Sequence, residues 1–213
     1  MTQQQQPRIG IVIGSTREGR FAEKPAHWIH EIAKQRTDLV FELIDLRDHP
    51  LPFFNEPRPP MTGPVNNEAA RLWAGKLATL DGLIMVTPEY NHGPSAVLKN
   101  ALDYAYEEFN RKPIGFVGYG GAGAARAVEQ LRLIAIALQM APVANAVHIG
   151  MMESLGIMQQ GKTFDDFPHL AQAANRLLDD MSWWTKALKP AREGMTTGVA
   201  GREQREKSVA VTA

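Results

Sequence analysis

The chain has 213 residues, 44% of them hydrophobic and 22% charged, which is enough for one good core and is the balance of an ordinary globular protein. Lys plus Arg and Asp plus Glu number 23 each, leaving no basic footprint for nucleic acid or an anionic membrane and weighing against a strongly acidic electron carrier. There are no cysteines, hence no disulfide, thiolate metal site or cysteine nucleophile.

The N-terminal MTQQQQPR lacks the basic-then-apolar build of a signal peptide. No apolar run approaches the roughly 20 residues that span a bilayer. A cytoplasmic protein without membrane partners is expected.

Residues 9–13 form a short branched apolar run, suited to a strand buried on both faces. Residues 22–35 show helical spacing, with Ala26, Ile29 and Ala33 on one side. A second strand covers 39–46 (LVFELIDL), and the proline-rich stretch 47–64 is a long irregular loop. Residues 66–79 form a helix candidate and 82–87 (GLIMVT) a third strand. A helix starts at Pro94 and Ser95, turning Val97, Leu98, Ala101, Leu102 and Ala105 inward. Strand four covers 113–119, a helix 122–140, and strand five 144–149. The last helix runs from about 168 to 188, and from Lys189 the chain turns polar and small, so residues 189–213 are expected to be a disordered tail.

Strand and helix thus alternate through residues 1–188 as one domain, with no repeat. That alternation predicts an α/β fold, a doubly wound parallel sheet with helices on both faces. Five strands suit the flavodoxin-like order 2-1-3-4-5, whose ligands bind outside the carboxyl ends of strands one and three. Three loops meet there: GSTREGR from Gly14 to Arg20, TPEYNHGP from Thr87 to Pro94, and the glycine-rich turn after Tyr119. In the first, a helix start, the Ser15 and Thr16 hydroxyls and the Arg17 cation suit a phosphate. Taken alone, it is equally a plain strand-to-helix turn. The second offers backbone amides and a tyrosine to a flat polar ring. Together they describe a mononucleotide with a large planar base, and FMN has that shape.

GSTREGR and PEYNHGPSAVLKNALDY resemble the NADPH-dependent FMN reductase family over about residues 7–150. The resemblance implies a flavodoxin-like fold and an FMN cofactor reduced by NADPH or NADH. The electrons pass to a small-molecule acceptor: a quinone, a free flavin, an azo compound or a metal oxyanion. It matches Ser15 and Arg17 to the family's phosphate loop, with Thr16 beside them. Pro88, Glu89, Tyr90 and Asn91 match the ring-lining segment, and Gly118, Tyr119 and Gly120 the third flavin loop. Where many members read Gly-Ser-Phe-Asn, this chain has Gly19-Arg20-Phe21-Ala22, and Arg20 can supply charge in place of the lost hydrogen bonds. The family also implies a homodimer or homotetramer with shared flavin sites.

No catalytic side chain and no protein metal is required, because hydride transfer to a flavin needs no protein acid. His92 is therefore read as a loop residue. Asp45 and Asp48 are read as solvated carboxylates, and Arg126, Glu129 and Arg132 as a charged helix face. Met151, Met152 and Met158 are expected to fill irregular apolar space. Of Trp183 and Trp184, one belongs in the core and one at a contact surface. Trp73, Tyr104, Tyr106 and Phe109 add aromatics suited to a subunit interface. Two other readings stay open: a flavodoxin-type carrier without turnover, and a phosphate-binding regulatory domain.

Overall fold

A computed structural model describes residues 6–211, with side chains described for residues 6–194. Its elements run β1 (Arg8–Ile13), α1 (Glu23–Ala33), β2 (Val40–Asp45), α2 (Glu68–Ala78), β3 (Gly82–Pro88) and α3 (Ala96–Asp103). They continue through β4 (Pro113–Tyr119), α4 (Ala125–Ala137), β5 (Ala141–Pro142), β6 (Val147–Ile149), α5 (Met151–Gln159) and α6 (Pro168–Val211).

All pairings are parallel, in the order β2-β1-β3-β4-β5, with β6 pairing the far end of β4. This is the flavodoxin-like order. The fifth position is two short pieces rather than one strand over 144–149: β5 pairs Pro113 and Ile114, and β6 pairs Val117 to Tyr119. Every residue of β3 and β4 is buried, as apolar runs in a sheet covered on both faces should be.

The two-residue period of the strands divides the core into two layers. Ile9, Ile11 and Ile13 pack with Ile29 of α1 and Leu177 and Met181 of α6 on one face. Val12, Met85 and Phe116 pack with Trp73 of α2, Leu102 of α3 and Leu131 of α4 on the other.

Several expectations fail for physical reasons. Trp73, Tyr104 and Phe109 are core residues, not interface aromatics; the one polar atom of Trp73, Nε1, donates to Ala101 O at 2.8 Å, which removes the obstacle to burying it. Neither member of the tryptophan pair is in the core: Trp183 is 64% exposed and Trp184 37%, packed edge to face at 5.1 Å. Residues 151–159 form the helix α5, and Met151, Met152 and Met158 stand on its exposed side.

The last helix does not stop near Leu188. It continues, and Lys189 Nζ and Arg192 Nη2 each lie 2.8 Å from the Asp81 carboxylate at the amino end of β3. The side chains of residues 195–213, most of the expected tail, lie outside the described residues.

Candidate active site

β1 lies between β2 and β3, so the loops leaving β1 and β3 turn to opposite faces and open a crevice at the carboxyl ends. The loop after β1 is bound tightly at its root. Gly14 N donates to Val86 O at 2.8 Å, and the Ser95 hydroxyl donates to Gly14 O. The same Ser95 Oγ accepts Leu98 N at 3.2 Å and caps α3. Beyond the root, Ser15 is buried with its Oγ 3.2 Å from the Tyr90 hydroxyl, while Thr16 and Arg17 are exposed. The Arg17 guanidinium makes no ion pair among the described residues.

Arg20 is different. Its side chain is 2% exposed and its donors are taken: Nη1 bonds Asp45 at 2.8 Å, Nη2 bonds the other Asp45 oxygen, and Nε bonds Glu23 at 3.0 Å. Nη1 also donates to Ser15 O. Arg20 is therefore a strut between the first loop and the end of β2. Asp45 is accordingly not a free solvated carboxylate. Burial alone would raise its pKa, but the bonds from Arg20 and Arg47 N outweigh that and hold it below its ordinary value.

The loop after β3 is a two-residue turn. Tyr90 N donates to Gly93 O at 2.9 Å, Gly93 N donates back at 3.1 Å, and Asn91 and His92 between them have φ of 49° and 68°, the signs of a type I′ turn. The Glu89 side chain is turned to the start of α4: it is 5% exposed, and its carboxylate accepts Arg126 N at 3.0 Å and Ala127 N at 3.3 Å. It also pairs with the Arg126 guanidinium. Burial would raise the Glu89 carboxyl, and these donors keep it lowered. The charged face expected on α4 is thus divided, since Arg126 serves Glu89 while Arg132 donates to Ala144 O at 2.9 Å and lies 5.3 Å from the Phe116 ring.

The third loop follows β4. Gly118 has no room for a side chain, because a Cβ there would sit 2.8 Å from both Ala124 Cβ and Gly123 O. Gly120 takes φ 148°, open only to glycine at little cost. Tyr119 is buried under this loop with its ring 5.3 Å from Phe21, and its hydroxyl has no hydrogen-bond partner among the described residues. Burial pushes that hydroxyl above its ordinary pKa, so it stays a donor at neutral pH.

Sequence reasoning overlooked the far wall. Ser15, Thr16, Arg17 and Tyr90 share a cleft of about 410 Å³ with Leu51, Phe53, Val97 and Asn100. The proline-rich loop is no loose coil there: Asn100 Nδ2 donates to Pro52 O at 2.7 Å and Asn100 Oδ1 accepts Phe54 N at 2.9 Å. Tyr104 OH donates to Phe53 O at 3.3 Å, and its ring meets Phe54 at 5.1 Å. The available signal was a polar Asn100 on the inward face of an apolar helix, in the quoted LKNALD.

Residues 7–153 match the model of the NADPH-dependent FMN reductase family. An NAD(P)H-dependent FMN reductase of Schizosaccharomyces pombe is 40% identical over 136 residues, 63% of this chain and 68% of that protein. A 2-hydroxy-1,4-benzoquinone reductase of a Burkholderia species is 34% identical over 134 residues, 59% of this chain and 68% of that one. The flavoenzyme NAD(P)H:acceptor oxidoreductase FerB of Paracoccus denitrificans shares the fold with a TM-score of 0.66 at 20% identity, covering 85% of this chain and 98% of its own. Relatives that are reductases support an enzyme over the carrier and regulatory readings. The chain belongs to the NADPH-dependent FMN reductase family, and it is an enzyme of flavin-dependent oxidoreduction that uses FMN and NAD(P)H.

Proposed function

We propose that this chain is a quinone-type reductase that delivers the electrons of NAD(P)H to a small planar acceptor at the crevice above β1 and β3. The observation that carries the reading is the Ser15–Tyr90 cleft, which places hydroxyls and the Arg17 cation together with the apolar Leu51, Phe53 and Val97. The residues fit FMN. The exposed Arg17 guanidinium, without an ion pair among the described residues, lies in the same cleft as the Ser15 and Thr16 hydroxyls, an arrangement that a phosphate-bearing ligand uses.

Ser15, Thr16 and Arg17 would hold the phosphate. Tyr90, Asn91, Pro88 and the backbone from Gly118 to Gly120 would line the ring. Arg20 and Glu89 act behind them as strut and cap. FMN, when bound, supplies the two-electron chemistry between a nicotinamide and a quinone. The protein's part is to orient both, to offer backbone donors where negative charge develops and to shed water with the Phe53 wall. A homodimer or homotetramer belongs to the same reading, supported by the exposed Leu133 and Ile136 on α4; light scattering tests it.

The purified protein should be yellow, should release FMN on denaturation, and should oxidise NADPH through many turnovers with 1,4-benzoquinone. A single stoichiometric reduction without turnover would refute the reading.

A further inference from the structure

The turn after Tyr90 is closed by its own two backbone bonds, Tyr90 N to Gly93 O and Gly93 N to Tyr90 O. Asn91 and His92 both occupy left-handed backbone, which these residue types adopt more readily than most but still at a cost. α4 adds a second set of contacts from outside the bend. Arg126 reaches the loop at two points, pairing with the Glu89 carboxylate before the bend and donating from Nη1 to His92 Nε2 at 2.7 Å within it. One helical turn further, Gln130 Nε2 donates to His92 O at 2.5 Å, from the same helix face as Arg126. A guanidinium has only donors, so His92 Nε2 is the acceptor and its proton sits on Nδ1.

The other half of the contact runs to the third loop. Ala124, ahead of α4, has no side-chain cap to offer, and Glu89 caps the helix from the neighbouring loop through Arg126 N and Ala127 N. Glu89 N also donates to Tyr119 O at 3.2 Å. Capping alone would need only the carboxylate and two amides. The contacts to His92 go beyond a cap, and they reach the strained turn itself.

We propose that Glu89, Arg126 and Gln130 are positioning residues, a clamp that locks the Tyr90–Gly93 turn onto the start of α4. The clamp fixes the spacing of the second and third loops, and hence the slot for the planar ring of the ligand; this rests on the flavin reading above.

Hydrogen exchange on the purified full chain reads the clamp without reference to flavin. Peptides over residues 88–94 should exchange at least about tenfold faster in Arg126→Ala than in the wild type, with β1 and β2 unchanged. His92→Ala should behave likewise, whereas His92→Gln, whose amide oxygen can accept the same bond, should stay close to wild type. In titrations, Arg126→Ala and His92→Ala should bind FMN and riboflavin alike about tenfold more weakly, with a shifted flavin absorption, because the ring slot and not the phosphate seat has loosened. Unchanged exchange in Arg126→Ala would overturn the clamp. Faster exchange with unchanged flavin affinity and spectrum would overturn the slot and leave Glu89 a helix cap. A wild-type chain that binds neither flavin would overturn the flavin reading, and the slot with it, whatever the exchange shows.

Discussion

Two arginines three residues apart should answer to different assays. Arg20 is almost wholly buried and holds Asp45 through two bonds, Glu23 through one and Ser15 O through another. Arg20→Met strands the Asp45 carboxylate. Removing one partner of a buried pair costs about 3–5 kcal/mol. Asp45 retains some water access and the Arg47 N bond at 2.9 Å, which brings the expected loss to about 2–4 kcal/mol. For a chain of this size that is a fall in melting temperature of roughly 4–16 °C.

Arg17, exposed and without an ion pair, should leave melting unchanged when replaced by Ala. Its loss should weaken FMN by roughly tenfold to a hundredfold, the worth of one charge-assisted phosphate bond, and riboflavin far less. Calorimetry on both variants, with FMN and riboflavin titrations, separates the roles. If Arg20→Met melted like the wild type and lost FMN selectively over riboflavin, Arg20 would be the phosphate ligand and the strut reading would be wrong.

Phe53 is 83% exposed at the cleft mouth, so Phe53→Ser should leave stability intact and raise KM for apolar quinones about tenfold; steady-state kinetics at saturating NADPH would show it, and an unchanged KM would remove Phe53 from the acceptor wall. Asn100→Ala breaks two bonds to the proline-rich loop and should cost about 1–3 kcal/mol in urea unfolding; a smaller change would mean the loop is held elsewhere. Asn91→Gly removes the side chain without adding strain at φ 49°, and should lower the flavin potential by about 30 mV if a bond of about 1.4 kcal/mol to the reduced ring is lost; redox titration reads it, and an unshifted potential would take Asn91 off the ring. Burial brings the Lys112 ammonium down from 10.5 to about 8. Between those values the unfolded chain binds more protons than the folded one, so the Lys112 contribution to stability rises with pH from 8 to 10.5, by up to about 3 kcal/mol. Lys112→Met should flatten that rise; parallel curves for the two proteins would refute it.

The sequence alone determined the layered sheet and the place of the crevice. Short branched runs such as residues 9–13 and 82–87 suit strands buried on both faces, and their alternation with helices favours parallel pairing. Loops that leave neighbouring strands to opposite faces must then part and open a crevice between them. It also marked PEYN and LKNALD, because their residue types are distinctive at short range.

What it could not hold was partnership across space. Arg20 and Asp45 are 25 residues apart, Glu89 and Arg126 are 37, and Pro52 and Asn100 are 48. A charge reads as solvated until something folds against it. Whether Arg20 is ligand or strut, whether Trp73 is core or interface, and where Lys189 and Arg192 find Asp81 depend on which surfaces meet. Only the packed chain decides that, because charge pairing and burial are properties of neighbours in space and not of neighbours in sequence.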